Sequence, residues 1–228
     1  MLTKQKKLSK KEIKEDRLVE LYYKAQSYYE DNKNRIFVYG GVLIAVIFAV
    51  YMYLDYKSGQ NEEAGTYLAR VMDVYDSGSF LEAIEGRQGT NVIGLKKIVQ
   101  DYGSTENGET AKIFLANSYA ALGKLDDALK YYEDYDGSIE MYKAASLAGQ
   151  AGILSFNKKY EEAADLYLKA SHIQKTDVLN ADYIYEAGIN YFEAGKKDEA
   201  KDLFQSIKDD YKTSSVSSKV DRYLTLLN

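Results

Sequence analysis

The order of apolar and polar positions divides the chain before anything else does. From Ile36 to Leu54 the run IFVYGGVLIAVIFAVYMYL has nineteen residues with no charge, no Asn, no Gln and no Pro, bracketed by Arg35 and Asp55. As a helix rising roughly 1.5 Å per residue it reaches about 28 Å, close to the hydrocarbon thickness of a bilayer. Eleven of the nineteen are Val, Ile, Leu or Phe, and together they favour insertion by on the order of 5 kcal/mol. The run predicts a transmembrane helix. Ahead of it, Leu18, Leu21, Tyr22, Ala25, Tyr28 and Tyr29 recur at three- and four-residue steps, which predicts an amphipathic helix lying on the inner membrane surface, with docking to a membrane complex as the alternative. Asn32 to Asn34 are expected to break that helix before the span, and the polar residues 55–63 to form a tether after it. Tyr39, Tyr51 and Tyr53 suit an aromatic interface belt, and Gly40-Gly41 permits close approach of another helix.

Beyond residue 63 the apolar positions keep the 3.6-residue period and no segment sustains an alternation of two, so the body is expected to be all-α. The chain has no proline, and Gly, Ser, Asp and Asn supply the turns. An internal repeat is present. Leu115-Ala116, Tyr119, Gly123, Ala128 and Tyr132 are spaced identically to Gln150-Ala151, Leu154, Lys158, Ala163 and Tyr167, and again to Ala187-Gly188, Tyr191, Gly195, Ala200 and Phe204. The small residues let two helices of a pair approach closely, and Gly123 and Gly195 end the first helix in a left-handed turn. Lys158 takes that turn position in the middle repeat at some cost. The spacing resembles the tetratricopeptide repeat, whose period is roughly 34 residues.

The resemblance implies an all-α fold: a tetratricopeptide-repeat right-handed α-solenoid, preceded by a single transmembrane helix and an N-terminal amphipathic helix. The expected layout is a basic leader over 1–35, the span over 36–54, the tether over 55–63, a degenerate repeat or cap over 64–108, three repeats over 109–214 and a closing helix over 215–228. In the cap, Gly78-Ser79-Phe80 and Ala83 imitate a repeat turn, while the second helix is expected to stop within residues 85–91. Val220, Tyr223, Leu224 and Leu227 share one face of the closing helix.

Charge adds a topology. The leader holds ten Lys or Arg against six Asp or Glu, a net of +4, which leaves −9 of the whole-chain −5 for the rest. The basic side of a span stays in the cytoplasm, so residues 55–228 are expected across the membrane. The span is too long, and its leader too extended, for a cleaved signal peptide. An acidic body argues against nucleic acid as a partner. With no cysteine and His172 as the single histidine, thiolate, iron-sulfur and zinc-finger chemistry and most imidazole-based catalysis are excluded. The chain is therefore expected to be no enzyme, with no cofactor and no small-molecule substrate. His172 falls in a connector and reads as a loop residue. Asp126-Asp127 and Glu161-Glu162 start second helices, where carboxylates complement the helix dipole.

The basic leader, single anchor and repeat body, with Gly94-Leu95-Lys96-Lys97-Ile98-Val99-Gln100-Asp101-Tyr102 ahead of Ala111 and Leu115-Ala116, resemble the YfgM-type family of ancillary SecYEG translocon subunits. That resemblance implies a bacterial inner-membrane protein with periplasmic repeats. Its implied partners are translocon subunits, periplasmic chaperones and exported clients, with membrane lipid around the span. The repeats are also similar to those of a periplasmic cell-division coordinator and of outer-membrane assembly lipoproteins, which leaves a scaffold for cell-wall synthesis or division as the alternative. In such a solenoid the first helix of each pair lines a protein-binding groove. Helical phase nominates Asn117, Ala120, Ala121, Gly152, Ser155, Phe156, Tyr185, Ile189 and Phe192 for it, with packing between repeats as the competing role for Phe156, Ile189 and Phe192. Ile113 and Ala145 stand where a carboxylate-binding clamp needs lysines.

Overall fold

The computed structural model describes residues 10–174 and 176–227, with side chains from residue 17 onward. Two units divide the chain, Met1–Tyr56 and Lys57–Asn228. The described residues are helical, apart from turns and one isolated bridge between Gly86 and Ile93.

Helix α1 is Lys10–Asp76. In the first unit its side chains from Leu18 through the apolar run face outward, Ile44 at 68 % exposure and Phe48 at 61 %. The apolar residues of that run are exposed around the whole helix. Its apolar window has a mean hydropathy of 2.2 and is long enough to cross a membrane. Two expectations are corrected here. Asn32 to Asn34 do not break the helix, and residues 55–63 are helix, not tether. Asparagine costs only a few tenths of a kcal/mol per helical position, and neither Gly nor Pro falls at 32–34 to stop propagation. Asn32 Nδ2 also bonds back to the Tyr28 carbonyl at 3.0 Å. Leader helix and apolar run are thus one element. Gly41, Ala45 and Ala49 fall four apart along it, a line of small residues that the glycine pair alone does not reveal.

In the second unit, residues 57–76 of α1 turn Ala64, Leu68, Val71 and Val74 inward at the helical period. Polar bonds fix the stretch that was expected to be a tether. Lys57 Nζ donates to Ser104 O at 2.7 Å, Asn107 N donates to Asn61 Oδ1 at 2.8 Å and Asn107 Nδ2 donates to Asn61 O at 2.9 Å. After a turn with Gly78 at φ 77, α2 (Phe80–Glu85) buries Ala83 and Ile84 and stops at Gly86. Helix α3 (Leu95–Tyr102) follows and buries Leu95 and Ile98.

Three helix pairs come next: α4 (Glu106–Ala121) with α5 (Leu125–Glu133), α6 (Glu140–Phe156) with α7 (Tyr160–Ser171), and α8 (Asn180–Glu193) with α9 (Lys197–Asp210). Each pair turns in the same way. Lys124 N reaches Tyr119 O, Lys159 N reaches Leu154 O and Lys196 N reaches Tyr191 O, all at 2.9 Å. These are the six-to-one bonds of a Schellman cap. The residue before each donor is left-handed: Gly123 at φ 72, Lys158 at φ 61 and Gly195 at φ 79, Lys158 being the one non-glycine with positive φ among the described residues. The alanines of the repeat, 116, 151, 128, 163 and 200, are each 0 % exposed. Helix α10 (Val220–Leu227) closes the end, its Tyr223, Leu224 and Leu227 packed on a core of Phe204, Ile207, Val216 and Val220.

One charge is taken into the first repeat. Lys112 is 7 % exposed, and its Nζ lies 2.8 Å from Glu109 Oε1 and 2.9 Å from Asp134 Oδ2. The ammonium also donates to Asp134 O at 2.9 Å, tying α4 to the end of α5.

Candidate functional site

The first helices α4, α6 and α8 carry the candidate residues, and their surroundings differ from repeat to repeat. In α4, Asn117 is half-buried and its Oδ1 accepts a 2.5 Å bond from the Tyr132 hydroxyl. Ala120 beside it is half-buried and Ala121 is exposed. In α8, Tyr185 lies with its ring centroid 6.2 Å from Phe204 and 6.0 Å from Tyr223, and Phe192 lies 5.6 Å from Tyr223. Ile189 packs on the same C-terminal core. Phe192 and Ile189 therefore take the packing role, against α10, and Tyr185 joins them.

In α6 the neighbours are missing. Gly152 and Ser155 are half-buried and Phe156 is 74 % exposed. A Cβ on Gly149 would stand 2.3 Å from the Tyr132 ring, so that glycine is what lets the ring lie between α4 and α6. A Cβ on Gly152 would meet the Tyr167 Oη at 3.4 Å, at the edge of ordinary van der Waals contact.

Sequence reasoning passed over the residues three positions before Asn117, Gly152 and Ile189, which share their faces by helical phase: Phe114, Gly149 and Glu186. Phe114 continues an aromatic row, 5.1 Å from Tyr75 and 5.9 Å from Tyr142. Glu186 is half-buried, and burial, then the charge of Asp182, push its carboxyl above the usual range, while Lys219 pulls it down. Burial raises the Tyr132 and Tyr167 hydroxyls to about 12. The i, i+3 spacing was the signal that could have found this row.

His172 caps α7, exposed, with Nδ1 2.6 Å from Leu168 O. A carbonyl only accepts, so the proton sits on Nδ1. Asp126-Asp127 and Glu161-Glu162 occupy the first turns of α5 and α7. No group of three His, Asp or Glu side chains placed to hold a metal occurs among the described residues. An apolar depression of about 590 Å³, lined by Phe80, Leu81, Glu82 and Leu122 among others, opens beside the turn of α2.

A family model described as tetratricopeptide repeat-like domain matches residues 26–225. The chain belongs to that family. No curated protein matches it. As a tetratricopeptide repeat-like protein it is a protein-interaction module, and its partners are proteins. The matched residues start ten before the apolar run, so that run and the repeats are parts of a single family layout.

Proposed function

We propose that this is a single-span protein of the bacterial inner membrane whose repeats stand on the periplasmic side and hold other proteins beside the Sec translocon during export or folding. The observation that carries the reading is the family match over residues 26–225, which takes in the apolar run and the repeats together. A basic leader at +4 and an acidic remainder at −9 support the orientation. The open surface along α6, with Phe156 unpacked, supports binding through the first helices. The chain performs no chemistry of its own in this reading. Its partners are translocon subunits, periplasmic chaperones and exported clients, with lipid around the span.

The test is affinity purification of the whole chain from gently solubilised membranes, beside a control that keeps residues 1–56 alone. Translocon subunits and exported clients enriched over the control are the expected result. Cell-wall synthases or division proteins enriched instead would replace the export role by a scaffold. Protease added outside spheroplasts should degrade the repeats and spare the leader; the reverse pattern would invert the orientation.

A further inference from the structure

A cavity of about 470 Å³ lies where the end of α7, the start of α8 and the end of α9 meet. Among the described residues Ser171, His172, Asn180, Ile184, Asp210 and Tyr211 line it. None of these is basic, and none is a groove position nominated on α4, α6 or α8. The polar groups around it are set to accept hydrogen bonds. Asn180 is 1 % exposed; its Nδ2 donates to Gln174 O at 2.7 Å, while its Oδ1, cut off from water, has no partner among the described residues. Ser171 Oγ donates to Leu168 O at 2.9 Å and His172 Nδ1 lies 2.6 Å from the same carbonyl, which leaves Oγ and the Nε2 of the neutral ring as acceptors.

The charge has one sign. Helices α7 and α9 both present their C-terminal ends here, where the helix dipole is negative. Asp210 ends α9, a place where an acid opposes that dipole, and Lys208 two residues before it is committed to Asp221 Oδ1 at 2.9 Å. The positive end of α8 is faced by Asp177, whose Oδ1 accepts from Leu179 N at 2.9 Å and whose Oδ2 has no partner among the described residues. A buried acceptor without a donor and an acid at a negative helix end are both unfavourable, and a cation rich in N–H groups relieves both. A guanidinium fits better than an ammonium: it is planar, weakly hydrated and carries five donors, its plane can stack on the Tyr211 ring, and Ile184 offers an apolar wall to its alkyl stem. We propose that this cavity takes the guanidinium of an arginine side chain presented by a partner protein, paired with Asp210 and stacked on Tyr211. Free arginine would bring its own carboxylate toward Asp210, whereas an arginine within a chain has none. The proposal is independent of the export reading.

The test titrates the whole chain in micelles, with the isoleucine methyl groups labelled for NMR and the Ile184 signal assigned by its loss in Ile184→Val. The probes are N-acetyl-arginine methylamide, its neutral isostere N-acetyl-citrulline methylamide, and free arginine. The capped arginine should shift the Ile184 methyl saturably, the citrulline probe should bind about tenfold more weakly, and free arginine should also bind more weakly. Asp210→Asn should weaken the capped arginine about tenfold without lowering the melting temperature, and added salt should weaken it as well. Equal binding of arginine and citrulline probes, or binding unchanged in Asp210→Asn, would overturn the cationic site. Tighter binding of free arginine would overturn the partner side chain as its occupant, and no saturable shift would overturn the proposal as a whole.

Discussion

Phe156 in the middle repeat and Phe204 in the third are the same side chain in two settings, the one 74 % exposed and the other fully buried. The third repeat is followed by α10, whose Tyr223 stacks on Phe204 at 4.9 Å and also meets Tyr185 and Phe192. The groove positions of α8 are thus filled by the chain itself. At the equivalent positions of α6 stand Ala148, Gly152 and Ser155, too small to bury one another or to cover Phe156. One repeat plan supplies a sealed end and an open centre, and the difference lies in α10, which covers the third repeat and leaves Phe156 bare.

Replacing both phenylalanines gives the largest contrast. Phe204→Ala should cost about 3–5 kcal/mol, whereas Phe156→Ala should stay within about 0.5 kcal/mol; urea unfolding of the whole chain in micelles measures both. Equal losses would mean that Phe156 is packed. Next comes alkaline pH. Tyr132 and Tyr167 hold the site that Phe204 holds in the third repeat, and burial raises both hydroxyls to about 12 from 10.0. A raised pKa gives stability that is present below about pH 10 and lost as pH climbs to 12, on the order of 2 kcal/mol for the better-buried Tyr132. Tyr132→Phe should flatten that fall, and an unchanged slope would refute the assignment.

The turns give a smaller effect of opposite sign. Lys158→Gly should stabilise by about 0.5–1 kcal/mol, because it relieves a left-handed lysine, and Gly123→Ala should destabilise by about 1 kcal/mol. The smallest shift is at Glu186. Its raised carboxyl pKa means that its own contribution to stability is greatest below 4.5 and is lost as pH rises through the folded value. Glu186→Gln should therefore raise Tm slightly at pH 7, and a lowered Tm would show that the ionised carboxylate already has a partner.

The repeat was legible because its determinants are local. Gly123, Gly195 and the paired alanines announce turn and close approach by residue type and spacing, and even the strained Lys158 could be read from its place in the series. The failures at 32–34 and 55–63 have a common cause. Polarity argues for a loop, yet neither stretch holds a proline, and the bonds from Asn61 to Asn107 that hold the second are forty-six residues apart in sequence. The candidate site was partly legible. Helical phase nominated Phe156 and Tyr185 alike, but only the position of α10 decides that Tyr185 is covered and Phe156 is not. Glu186 escaped notice because its significance is a missing partner, which no spacing encodes.

Residues 121, 156 and 193 are equivalent positions at the ends of α4, α6 and α8. A photocrosslinking amino acid placed at each in turn, in intact cells, tests directly whether the middle repeat is the partner surface. Ala121 and Glu193 should give weak adducts and Phe156 strong ones. Equal yield at all three positions, or adducts at 121 and 193 with none at 156, would contradict the account.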